Sequence, residues 1–497
     1  MFQILPSGKL LRITLLLISF SIFAPALLPA ESDSASLRAY LEKHQRRQAY
    51  GVYLKNQKFG WAVDELKLGR HGGHDAAVAI FEIQGSFTSG GEKAHFEEKS
   101  TTHFELVGKG EIVFAEERTL EDGNEITRVA VREGNSMILT TRSRGSDSAR
   151  RIPTPRETLQ VMRELEAWLA KPPKRGAQFE NYSTTWNEEK VDTRELFTFR
   201  SRKPILWGGV KTDKYLLDVN IEGMNAAFEV LPDGTPLKGV MGGLFELRAE
   251  EEAIAKTPGA GTIDMLQASS IRVDKDLGDP LKLNSLTLKI TGLDDFVFPK
   301  SHRQRIVSRR GNAVILELSR DRRTDKPAAL SPTERESHLK ATPAIQSDHE
   351  DFRSLARQII GEEQDAVRKA SLLQEWVFKN VRQTLASNAS SALDVLTNRA
   401  GDCTEFTLLF LALARAAGLP AREVGGVMYA DEGEPLFGWH AWAEIHDGRQ
   451  WVSIDPTWNQ VYVDATHIKL SENSKDWSWV NLLGRLKITV VKIAKAP

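Results

Sequence analysis

Between residues 48 and 320, apolar and polar positions alternate in short runs, the period of half-buried strands. Tyr50-Gly-Val-Tyr-Leu and Phe59-Gly-Trp-Ala-Val flank a polar stretch, Lys55 to Lys58, and predict a hairpin. Further runs at 104–114, 127–140, 215–219, 227–231, 283–290 and 313–318 extend the strand texture, with Asp233-Gly234 as a turn. One helix interrupts them near 155–170. Thr154-Pro-Arg-Glu157 has capping-box spacing with proline at the first helical position, and Leu159, Met162, Leu165 and Leu169 form the apolar stripe.

The texture changes at 321–345, a charged segment punctuated by Pro327, Pro332 and Pro343 that reads as a linker. Beyond it the period becomes helical. Leu355, Ile359 and Ile360 make one face, and Ala366, Ala370, Leu373, Val377 and Val381 the next. Asp402 and Glu405 predict a capped helix starting at Cys403 and ending before Gly418 and Pro420. This helix is apolar almost all round and should be buried. The helix dipole favours a thiolate at its start, but Asp402 and Glu405 oppose it.

Downstream, Asp447-Gly448 signals a two-residue hairpin turn. That turn would set His446 opposite Arg449, Glu444 opposite Trp451, Trp442 opposite Ser453 and His440 opposite Asp455, within imidazole–carboxylate reach. Ala441, Ala443, Ile445, Val452 and Ile454 would share the core face. His440, Trp442, Trp451, Ser453 and Asp455 would share the other. His446 and His467 are competing bases. The tryptophans at 439, 442, 451 and 458 suit either packing or an apolar substrate rim.

Composition narrows the function classes. In 497 residues, 66 basic side chains balance 67 acidic ones, so nothing attracts nucleic acid in general. Residues 1–30 resemble a secretory signal: Lys9 and Arg12 precede an apolar run from Ile13 to Ala24, and Leu28-Pro-Ala30 offers a cleavage site. No later segment is apolar enough to span a membrane. The chain holds 1 cysteine, which forms no internal disulfide and, in an exported protein, needs burial or a task.

A thiol at a helix start and a strand histidine paired with an aspartate are the parts of a cysteine nucleophile. Cys403 would attack a carbonyl, His440 would take or hold the thiol proton, and Asp455 would orient the imidazole. Gly401-Asp-Cys403, His440-Ala-Trp442 and Asp455-Pro-Thr457 together resemble the transglutaminase-like superfamily. So do the loop from Ala416 to Arg422 and the helix carrying Leu373 and Trp376. The resemblance covers about residues 340–497 and implies a papain-like fold.

The expected architecture is α+β: a β-rich antiparallel module at 35–320, a linker at 321–345 and a transglutaminase-like domain at 346–497. The expected chemistry is acyl transfer from a protein or peptide through a Cys403 thioester, without cofactor or metal. Water as acceptor gives a hydrolase, the outcome the family resemblance favours. A lysine amine gives a transglutaminase. A non-catalytic envelope-binding scaffold is the alternative of another class. Trp376 and Gln383 are upstream candidates for a side-chain oxyanion donor. Two other clusters are weak as metal sites: Asp218 to Glu229, with near-calcium-loop spacing, and His71-Gly-Gly-His74-Asp75.

Overall fold

The computed structural model describes residues 34–495, apart from 90, 122, 144–146, 187–190, 325–327, 385–388, 390, 432–433, 473–475 and 477. The expected signal at 1–30 lies outside the described residues. The fold is α+β with large antiparallel sheets, and the chain divides into two compact units. One holds residues 93–263 and the segment up to 88; the other holds 264–497 and residues 89–92.

The first unit is built on a 14-stranded antiparallel sheet. Its first strand, Arg46–Leu54, pairs with Phe245–Glu250, and the meander runs outward on both sides. Two-residue turns make many of the hairpins. Lys55 and Asn56 both take positive φ, as a primed turn requires, and Leu54 pairs with Gln57. Both metal look-alikes fall on hairpins of the same kind. His71 pairs with His74 across Gly72-Gly73, and Ile221 pairs with Met224 across Glu222-Gly223. The Asp218 region is thus a hairpin, with Glu229 paired to Lys214.

The predicted helix is present as Leu159–Ala170, and Leu159, Met162, Leu165 and Leu169 are its buried stripe. Its cap differs from the expected one. Thr158, not Thr154, accepts from the Val161 N–H. Tertiary bonds hold the preceding residues out of the helix: Arg156 N–H donates to Asp192 Oδ1, and the Arg156 guanidinium stacks 3.4 Å above the Tyr182 ring. The first helical N–H groups find carbonyls of Gly110 and Lys109 instead.

The second unit carries a six-stranded antiparallel sheet. Its spatial order is Gln460–Val461, Trp451–Asp455, Pro435–His446, Ala421–Asp431 and Ile468–Ser471, with Ile271–Arg272 also paired to Pro435–His446. The helix Cys403–Ala416 packs on this sheet among helices Glu350–Ile360, Ala366–Asn380 and Ala392–Asn398. Phe352, Leu373, Val377, Phe406, Leu409, Phe410, Ile445, Val452 and Ile454 form the core between them.

The unit begins earlier than the expected boundary near 320, because the last strand, Lys487–Lys495, pairs with Leu283–Thr291. The segment expected as a linker lies along the Asp447 hairpin. Ala328 N–H donates to the Arg449 carbonyl at 2.6 Å, Ser453 N–H donates to Asp321 Oδ2 at 2.8 Å, and His338 meets the Trp451 ring edge-on.

Candidate functional site

Cys403 opens its helix as expected. The Asp402 side chain caps the first turn, and Glu405 reaches back to the Asp402 N–H at 2.9 Å. That fold-back makes Gly401 obligatory, since a Cβ there would lie 2.2 Å from Glu405 Cβ. The thiol is 3% exposed. Burial, then the charge of Asp402, push its pKa well above the usual thiol value. Asp402 and Glu405 both act against the thiolate, as expected, and Asp402 does so more strongly. The Cys403 sulfur accepts a hydrogen bond from the Ala441 N–H, which places it beside the residue that follows His440.

The hairpin register differs from the expected one. The chain closes through four residues, Asp447 to Gln450, because Asp447 Oδ1 accepts from both the Arg449 and Gln450 N–H groups. His446 therefore pairs with Trp451, Glu444 with Ser453 and Ala443 with Ile454. The shift is two residues, so every side chain keeps its face. His440 no longer sits directly opposite Asp455, yet the two side chains meet: His440 Nε2 lies 2.8 Å from Asp455 Oδ2. His440 Nδ1 is buried without a hydrogen-bond partner among the described residues.

Asp455 is completely enclosed and uses both oxygens. Oδ1 accepts from the N–H groups of Thr457 (2.9 Å) and Trp458 (3.2 Å). Oδ2 accepts from His440 and, at 3.1 Å, from His467 Nε2. Burial alone would raise its pKa, but the His440 and His467 contacts outweigh it and hold the carboxyl well below the usual range.

His467 is thus a second partner of Asp455. Its Nδ1 faces Asp464 Oδ1 at 3.3 Å. Burial lowers its pKa, but Asp464 and then Asp455 more than reverse this, and the net direction is upward. One glycine allows the approach. A Cβ on Gly426, paired with His440, would lie 2.0 Å from the Ile468 carbonyl and 2.8 Å from the Trp442 ring. The register also slips between Gly425 and Gly426 against Ile468–Ser471. The sequence signals were Gly425-Gly426 and the Asp464-x-x-His467 spacing.

His440, Asp455 and His467 offer ligand-type atoms within 4.8 Å of one another. Separations of 2.8 and 3.1 Å are those of N–H···O bonds. Two ligands of one tetrahedral zinc, each about 2.0–2.1 Å from it, sit farther apart, at about 3.3 Å. The geometry is that of a proton-held network.

The remaining candidates sort by their contacts. His446 uses both ring nitrogens, on the Ala328 carbonyl and the Gly448 N–H. Trp439 and Trp442 are buried, and Trp439 donates to the Ser269 carbonyl. Trp451 is covered by the Arg422 guanidinium at 4.0 Å, and Trp458 packs on Met428, Ala430 and Leu436. Trp439 and Trp442 are thus packing residues, whereas Trp451 and Trp458 are only partly buried. Trp376 is stacked against Arg399 at 4.6 Å. Gln383 pairs in parallel with Gly401, two residues ahead of Cys403.

Residues 353–456 match the family model described as the transglutaminase-like superfamily, so this part of the chain is a transglutaminase-like domain. That segment holds Cys403, His440 and Asp455 but stops short of His467. A Haemophilus influenzae protein described as uncharacterized is 36% identical over 97 residues, 18% of this chain and 26% of that protein's length. A solved structure from Cytophaga hutchinsonii, described as a "putative cysteine protease", is 18% identical and aligns with 43% of this chain and 86% of its own, at a TM-score of 0.30. Another, from Parabacteroides distasonis and described as a "putative protease", is 11% identical over 76% of this chain and 68% of its own, at a TM-score of 0.18. Among the described residues no helix is long and apolar enough to cross a membrane.

Proposed function

We propose that the chain is an exported, papain-like cysteine enzyme that transfers acyl groups from protein or peptide amides to water through a Cys403 thioester. One observation carries the reading. His440 holds Asp455 with Nε2 and keeps a buried, unpartnered Nδ1, while the neighbouring Ala441 N–H holds the Cys403 sulfur.

A carboxylate only accepts, so the His440 proton sits on Nε2 and leaves Nδ1 a lone pair. Nδ1 takes the thiol proton as sulfur attacks the acyl carbon. The C–N bond then breaks, and the amine leaves with the proton from Nδ1. Water attacks the thioester, gives one proton to Nδ1, and releases the acid as sulfur is reprotonated. The Cys403 N–H, at the first helical position, has no intrahelical partner and supports the oxyanion. Gln383 supplies the second donor in this reading, since its backbone pairs with Gly401, two residues ahead of Cys403.

The test offers a glutamine-rich protein and a fluorescent primary amine to wild type, Cys403→Ala and His440→Ala. Cleavage or deamidation that is lost in both variants supports the reading. Incorporation of the amine at a rate exceeding hydrolysis would make the acceptor an amine. Activity that survives in Cys403→Ala overturns the thioester.

A further inference from the structure

The second histidine on Asp455 has no part in that cycle, yet both its ring nitrogens are engaged. His467 is fully enclosed. Both ring nitrogens face carboxylates, Nε2 toward Asp455 and Nδ1 toward Asp464. A carboxylate offers only lone pairs, so two such contacts call for a proton on each nitrogen. Asp464 is itself fixed from three sides, by the Thr466 N–H at 2.7 Å, the Thr466 hydroxyl at 2.6 Å and Gln460 Nε2 at 2.9 Å.

We propose that His467 is a permanently charged positioning residue whose imidazolium, shared through Asp455 Oδ2, weakens the hold of His440 on a proton and so keeps Cys403 and His440 neutral until substrate binds. This rests on the Cys403–His440 reading above.

The surroundings fix the sign. His467 meets the anions Asp455 and Asp464, the His440 ring at 5.8 Å and the edge of Trp442 at 5.2 Å. The buried Arg303 guanidinium donates to the backbone carbonyls of His467 and Asp464. Lys469, two residues on, is absorbed by Glu444 and Glu472. His440 therefore shares its only hydrogen-bonded carboxylate oxygen with a competing cation. A protonated His440 would face that cation across one ring separation in a dry interior. The resting pair is then thiol and neutral imidazole, and the thiolate forms only with the attack.

The cysteine's singularity gives a clean readout, since iodoacetamide alkylation reports one thiol. Rates are followed from pH 5.5 to 9 in full-length wild type, His440→Asn, His467→Gln and Asp464→Asn. His440→Asn should be slower than wild type near pH 7. His467→Gln should be faster by about tenfold, because it removes the cation that competes for Asp455 Oδ2. Asp464→Asn should move the same way.

If His440→Asn matches wild type, the underlying cysteine–histidine pair is wrong and the inference falls with it. If His440→Asn is slower while His467→Gln equals or falls below wild type, the pair stands and the role of His467 is overturned. In wild type labelled with 15N-histidine, one buried ring should keep both nitrogens protonated through pH 8. A spectrum in which every ring has lost a proton by pH 8 overturns the proposal, even if the variants do not fold.

Discussion

At Cys403 three local forces meet: a helix start, an acidic cap and burial. Burial and the Asp402 charge win, and the thiol is neutral at rest. The ultraviolet absorbance of the thiolate should therefore be absent from the free protein at pH 7, because burial and the Asp402 charge both raise the thiol pKa. An absorbance already present at pH 7 would mean a preformed ion pair. Gly426 is the other residue on which the site turns. Alanine there would collide with the Ile468 carbonyl and Trp442. Gly426→Ala should cost about 1–3 kcal/mol in chemical denaturation, the usual cost of overpacking. It should also cut activity more than a comparable destabilisation elsewhere, because it displaces the segment that presents His467.

The Asp447 hairpin shows how an element can be right in face and wrong in register. Asp-Gly announced the turn, but Asp447 captures two N–H groups and lengthens it to four residues. A slip of two preserves the pleat, which is why the core face and the meeting of His440 with Asp455 both survive. The outer face of this hairpin also carries a buried charge cluster that alternation does not reveal. Glu444 accepts from Lys469 at 2.8 and 2.9 Å and from Arg422. Burial resists its ionisation, yet these cations bring its pKa down to about 2. Glu444→Gln would leave Glu472 as the carboxylate partner of Lys469 among the described residues and should cost about 3 kcal/mol in urea unfolding. A loss below about 1 kcal/mol would mean that the cluster is solvated.

Over the whole molecule the strongly shifted buried carboxyls of the two units carry opposite pH signatures. In the second unit, Asp455, Asp464 and Glu444 have folded pKa values below their unfolded ones. Their stabilisation is complete above about pH 4.5 and is lost as pH falls. In the first unit, burial raises Glu166 and Glu98 to about 8 and Glu157 and Glu195 to about 7. Those groups are protonated when folded and ionised when unfolded, so that unit loses stability as pH rises from about 4.5 toward 8. Thermal unfolding followed across pH 3–8 should show two transitions that move in opposite directions. Glu166→Gln should flatten the upper one. A single transition with one optimum would contradict the division.

By itself the sequence determined what is local or periodic. It held the strand-rich first half, the apolar stripe of the 159–170 helix, the capped start at Cys403 and the face carrying His440 and Asp455, because each depends on neighbours a few residues apart. Tertiary structure decided what depends on distant partners. Asp192 and Tyr182 hold 154–157 out of the helix, and the last strand draws 283–319 into the second unit. The approach of Ile468 to Gly426 brings His467 onto Asp455. Hydrophobic period and capping act within a turn or a strand, whereas the charge on a buried histidine depends on which carboxylates the completed fold sets against it.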